Sequence, residues 1–89
     1  METKEMTFGQ KACGVSFNPD NNYEVHVIKQ KYADIVDWLN DLRVELVARK
    51  EAGKASPDNL QEVVRMLSIA ITETQGAQMW AVKAITWKE

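Results

Sequence analysis

Three residue types in the first third of the chain could together hold a small anion with a flat base. Phe17 sits on the rigid frame of Asn18-Pro19, and Lys29 and Lys31 follow on the next helix. An aromatic face binds a nucleobase with roughly 1–3 kcal/mol of stacking energy. Lys or Arg and the free amides of a helix start hold phosphate. Phe17 lies just before a helix N-terminus and Lys29 about two turns inside it, a layout that suits a nucleotide. The same residues have a plain structural reading, in which Phe17 staples the turn onto its neighbours and Lys29 is solvated. A second polar set lies near the other end: Arg65, Ser68 and Thr72, at spacings of three and four, form one helical stripe that Gln75 continues. If association buries that face, these groups need partners in another subunit or a ligand.

Catalytic chemistry finds no support. There is no GxGxxG, no phosphate-binding P-loop, no HExxH and no Ser–His–Asp set. Cys13 is the only cysteine and His26 the only histidine, so a thiol–imidazole pair would need those two. A free Cys is more often a small buried hydrophobe. Asp34, Asp37 and Asp41 fall at i, i+3 and i+7, and a solvated acidic face explains them better than paired catalytic carboxylates. No Cys/His cluster has zinc spacing. The expectation is a non-enzyme with no cofactor and no metal.

A formal charge of −2 and a pI near 5.4 supply no field for DNA or RNA. No apolar run approaches the ~18 residues of a membrane span. Met1 to Glu5 is too polar for a signal peptide, and one thiol without a disulfide fits a reducing cytoplasm.

The elements that must position these residues are helices. Residues 1–7 read as a frayed tail and Phe8–Val15 as a short arm or helix. Ser16–Asn22 is a turn by composition. A first long helix is expected from an Asn21 cap, with Glu24 three residues on. Its apolar seam runs Val25, Ile28, Tyr32, Ile35, Leu39, Leu42, Leu46, with Val36, Trp38, Val44 and Val47 off it. Arg49, Lys50 and Gly53 mark its end. Ser56 and Pro57 are the expected start of a second helix that runs to about Thr86. Two such helices, each of about 28 residues and roughly 42 Å, joined by a short connection give an antiparallel hairpin. The fold expected is all-α, one domain over 1–89. From Leu60 to Trp87 apolar residues fall on nearly every side, so the hairpin should bury that helix by self-association.

Two segments carry a resemblance: GVSFNPDNNYEVHVIKQKYADIVDWLNDL and RMLSIAITETQGAQMWAVKAIT. Their FNP before the first helix, and Ser68, Ala70, Thr72, Ala77, Met79, Trp80 and Ala81 in the second, resemble a hairpin domain shared by phage anti-CBASS and anti-Thoeris sponges. The likeness runs from about Phe8 to Trp87. It implies a non-enzymatic protein that sequesters cyclic nucleotide messengers of bacterial defence, in the host cytoplasm. It further implies a compact homo-oligomer, a hexamer built from dimers, with ligands enclosed between subunits. By position, Phe17 matches an aromatic, often Tyr, that stacks on a base, and Lys29 a residue that pairs with phosphate. Thr72 matches a polar lining residue and Arg65 a phosphate contact in this or a second pocket; Asn18, Pro19 and Ser68 complete the set. Some members have an additional β-rich domain, for which this chain is too short. That points to the anti-CBASS branch, with cyclic di- or trinucleotides as ligands, over a sponge for cyclic ADP-ribose-type signals. A helical protein-interaction module is the rival outside the family.

Overall fold

The computed structural model describes residues 5–88, and these form three helices and no strand: α1 (Phe8–Ala12), α2 (Tyr23–Glu51) and α3 (Leu60–Ile85). α2 and α3 form the expected hairpin, and α1 packs on α2 beside it.

Each helix end shows local chemistry, and three differ from the sequence reading. The expected tail is ordered from its last residue. Thr7 accepts from the Gln10 N–H, and the Gln10 side chain accepts from the Thr7 N–H, a reciprocal capping box. Residues 1–4 of that expected tail lie outside the described residues. α2 is capped by Asn22, which accepts from the Val25 N–H at 3.1 Å. Asn21, expected in that role, takes a left-handed conformation with φ 49°, which Asn tolerates because its short side chain bonds locally. α3 starts at Leu60, with Asn59 at its cap and no side-chain capping bond, so Ser56 and Pro57 do not initiate it. The chain leaves α2 through Gly53 at φ 72° and must then cross the 8–10 Å between packed helix axes. Residues 54–57 are spent on that crossing, and the helix resumes where Leu60 reaches the seam.

The burial pattern of α2 keeps most of the expected seam, with Val25 and Leu46 buried and Ile28, Tyr32, Leu39 and Leu42 half-buried, and adds a second stripe to it. Its buried residues are Val25, Lys29, Ala33, Val36 and Leu46, while Ile35 is half exposed. Val36, placed off the seam by its spacing, is the largest side chain that is fully buried. The added stripe of Lys29, Ala33 and Val36 arises because α2 serves two neighbours. Gly9 of α1 lies so close that a Cβ there would meet the Ala33 carbonyl oxygen well inside contact distance and Asp37 Cγ at 2.8 Å. The face toward α1 is therefore buried along with the face toward α3. The core is correspondingly small: Cys13, Ala33, Val36 and Ile71, flanked by Ala12, Val15, Tyr32 and Leu39.

The molecule measures 54 × 38 × 12 Å. Twelve ångströms is one helix diameter, so the protomer is a single layer with two open faces. Trp38, Val44, Met66, Met79, Trp80 and Trp87 are all exposed on it. The accessible surface of 6912 Å² exceeds the about 5,300 Å² expected for a compact monomer of this mass.

Candidate functional site

The turn between α1 and α2 is built to project one ring. Asn18 locks it from within: its side chain accepts from the Asn22 N–H at 3.0 Å and donates to the Asn22 carbonyl at 2.8 Å. The Asn21 N–H donates to the Asn18 carbonyl, and the Phe17 N–H to that of Gly14. With its backbone tethered on both sides, Phe17 leaves its ring 71% exposed. The ring therefore does not staple the turn; the Asn18 amide and the backbone do.

Lys29 is not solvated. It is 5% exposed, and its Nζ donates to the Gly14 carbonyl at 3.0 Å and the Phe17 carbonyl at 2.5 Å. The ammonium also stands 5.4 Å from the centre of the Phe17 ring, within cation–π range. Two carbonyls and a ring thus replace much of the water the cation gave up on burial. Lys31, by contrast, is exposed.

Phe17 forms the shared wall of two concavities. The first, of about 250 Å³, is lined by Phe17, Asn18, Pro19, Asp20, Asn22, Val25, Lys29, Val82 and Thr86. It brings together four of the residues singled out in the sequence: Phe17, Asn18, Pro19 and Lys29. The second, of about 680 Å³, lies between α1 and the C-terminal half of α3 and includes Lys11, Gln75, Gln78, Met79 and Lys83.

The other three expected residues lie elsewhere on the protomer. Arg65 and Val82 are seventeen residues apart on α3, about 25 Å along a helix. Arg65 pairs with Glu62 at 2.5 Å on an exposed surface. Ser68 accepts from Arg43 Nη1 at 2.8 Å and donates to the Val64 carbonyl, while exposed Thr72 donates to the Ser68 carbonyl. Arg43 also donates to Asn40 at 2.7 Å and faces the Phe8 ring. Within one protomer, then, the stripe and the Phe17 turn are two separate regions.

Of the groups considered for catalysis, Cys13, Asp34 and Asp37 have structural partners. Cys13 is buried in the core, whereas His26 is exposed on α2. Burial first, and the Asp37 carboxylate second, push the Cys13 thiol above its ordinary pKa against the opposing charge of Lys29. A protonated thiol is a poor nucleophile. Asp37 accepts from the Gly9 N–H at 2.6 Å and so anchors the start of α1, and Asp34 accepts from Gln30. Of the three carboxylates, only Asp41 keeps to the solvated reading outright. Among the described residues no His, Cys, Asp and Glu cluster is placed to hold a metal, and no helix is long and apolar enough to cross a membrane.

Sequence reasoning missed the second concavity. Its signal was present in Gln75, Gln78 and Lys83, polar residues inside an otherwise apolar helix, but α1 was needed to close it. Gln75 Nε2 donates to the Ala12 carbonyl at 2.9 Å and ties α1 to α3.

A protein-family model described as the Acb2/Tad1 hairpin domain matches residues 11–86. Neither the curated proteins nor the solved structures contain a match.

Proposed function

The chain belongs to the Acb2/Tad1 hairpin-domain family, and from that premise we propose that it is a phage anti-defence sponge for cyclic di- or trinucleotides, such as cyclic GMP–AMP. Family membership implies sequestration of a cyclic nucleotide signal; the ligand class and the CBASS target are our reading. The observation that carries it is the Phe17 ring, held by a rigid turn yet 71% exposed beside a concavity. A ring fixed in place loses little freedom on binding, so most of its stacking energy is realised as affinity.

Sequestration needs tight binding and slow release. With messenger near micromolar, an effective sponge needs a Kd of order nanomolar, about −12 kcal/mol. A shallow open pocket does not reach that, and burial between subunits does. The single-layer protomer, its exposed tryptophans and its excess surface support a homo-oligomer. We take this to be a hexamer built from dimers, in which a neighbour covers the Phe17 region and the Arg65, Ser68 and Thr72 stripe joins this or a second pocket. The site of action is the bacterial host's cytoplasm.

Melting the protein with a panel of cyclic di- and trinucleotides and cyclic ADP-ribose isomers is the test. A ligand at a hundred times its Kd adds about 2.7 kcal/mol, a rise of roughly 10 °C or more in a domain of this size. The reading expects the rise with a cyclic di- or trinucleotide. A rise only with cyclic ADP-ribose isomers moves the chain to the Thoeris branch, and no rise with any of them sinks the proposal.

A further inference from the structure

We propose that the groove between α1 and the C-terminal half of α3 takes the phosphodiester side of the ligand, with Lys11 and Lys83 as its phosphate contacts. This rests on the sponge reading and refines it, because the cation first expected to meet phosphate is committed elsewhere. Lys29 already spends two of its three donors on the Gly14 and Phe17 carbonyls.

Charge separates the two concavities on either side of Phe17. The turn-side concavity carries Lys29 and also Asp20, whose carboxylate repels an anion. Lys11, Lys29 and Lys83 line the α1–α3 groove, and no acidic residue does. Neither Lys11 nor Lys83 has a carboxylate partner among the described residues. The Lys83 ammonium stands over the Trp80 and Trp87 rings at 5.3 and 5.8 Å. Those contacts hold it at the groove edge while leaving its hydrogen-bond donors unspent. At about 680 Å³ the groove falls within the roughly 300–1,000 Å³ usual for small-ligand sites.

An independent feature points into the same groove. Gln78 is 5% exposed and lines it, and its amide makes no hydrogen bond among the described residues. No side-chain polar atom there is shut off from solvent without a partner, so the Gln78 amide keeps some access to solvent. A nearly buried, unpartnered amide on a residue that lines a cationic groove is suited to read a base edge. Phe17 would stack that base from the shared wall.

The test is titration calorimetry on the full chain, using the tightest ligand of the cyclic di- and trinucleotide panel, at low and at moderate ionic strength. Lys11→Gln and Lys83→Gln are each expected to weaken binding roughly tenfold, the worth of one charge-assisted bond. Lys11→Gln should keep the parent's ligand-free melting temperature, since that side chain is exposed, and Lys83→Gln should lose only the few degrees its two cation–π contacts supply. The affinity of each variant should also depend less on salt. Gln78→Met, checked for parental melting, should change the ranking of bases across the panel. If the parent binds and both lysine variants keep its affinity, the groove assignment is overturned and the sponge reading stands. If the parent binds nothing, the sponge reading fails and takes this inference with it.

Discussion

Replacing Lys29 by Met tests whether this residue builds the Phe17 turn or meets the ligand. Met has an unbranched stem of similar length, so the packing of the buried lysine stem is kept and the ammonium is lost. Two charge-assisted bonds go with it, to the Gly14 and Phe17 carbonyls, each worth about 1.5–3 kcal/mol. Relief from holding a cation at 5% exposure offsets part of that loss. Gly14 is only half-buried and Phe17 exposed, so water can satisfy the freed carbonyls. The net cost should be about 2 kcal/mol, or some 10 °C in melting temperature for a domain of this size. Denaturant unfolding of the ligand-free variant, at a subunit concentration matched to the parent, measures it. Hydrogen exchange should show the Phe17 N–H, which donates to Gly14, losing protection before the amides of α2. Ligand binding should weaken as well, because the ring is no longer held. An unchanged midpoint together with weakened binding would refute the reasoning and return Lys29 to the phosphate.

Gly9→Ala should destabilise by about 3 kcal/mol, because overpacking against Ala33 adds to loss of the Asp37 bond; a change within 0.5 kcal/mol in denaturant unfolding would contradict the close approach of α1. The raised Cys13 thiol pKa makes stability fully present below the ordinary thiol pKa and lost as pH rises through the folded-state value. Unfolding between neutral and alkaline pH should show that fall in the parent and not in Cys13→Ala, and native Cys13 should react with an aromatic disulfide reagent only as fast as the core opens. Phe17→Ala should cost ligand-free stability about 0.5–2 kcal/mol, the worth of the ring's cation–π contact with the buried Lys29 ammonium. It should cost binding roughly 1–3 kcal/mol, read by titration calorimetry.

The long elements were legible because their signals are local. A charged last turn with Gly53 beyond it ended α2, and the apolar pattern identified α3, several of whose large apolar side chains are exposed on the protomer. The α2 seam was read incompletely for a tertiary reason, since only Ile35 of it is exposed while Ala33 and Val36 beside it are buried. Periodicity places one apolar stripe, and it cannot register that a five-residue helix with Gly9 at its contact would bury the neighbouring stripe through Ala33. The Asn-Pro turn presenting Phe17 could be read from composition, and its four-residue cluster with Lys29 is present. The role of Lys29 could not, because a lysine bonded to carbonyls fifteen and twelve positions upstream looks in sequence like any solvated lysine. Asn18 hid its role in the same way, since its partners are the backbone atoms of Asn22. The stripe of Arg65, Ser68 and Thr72 was correctly seen as one face, yet helical spacing says nothing of its distance from a turn at the far end of α3.

Titration calorimetry of the full chain with cyclic di- and trinucleotides tests the central claim most directly. The account expects saturable binding of at least one of them with a Kd of order nanomolar, at a fixed ratio of ligand to subunit, and recovery of the ligand chemically unchanged. Absence of binding across the panel, or conversion of the ligand into a product, would contradict it.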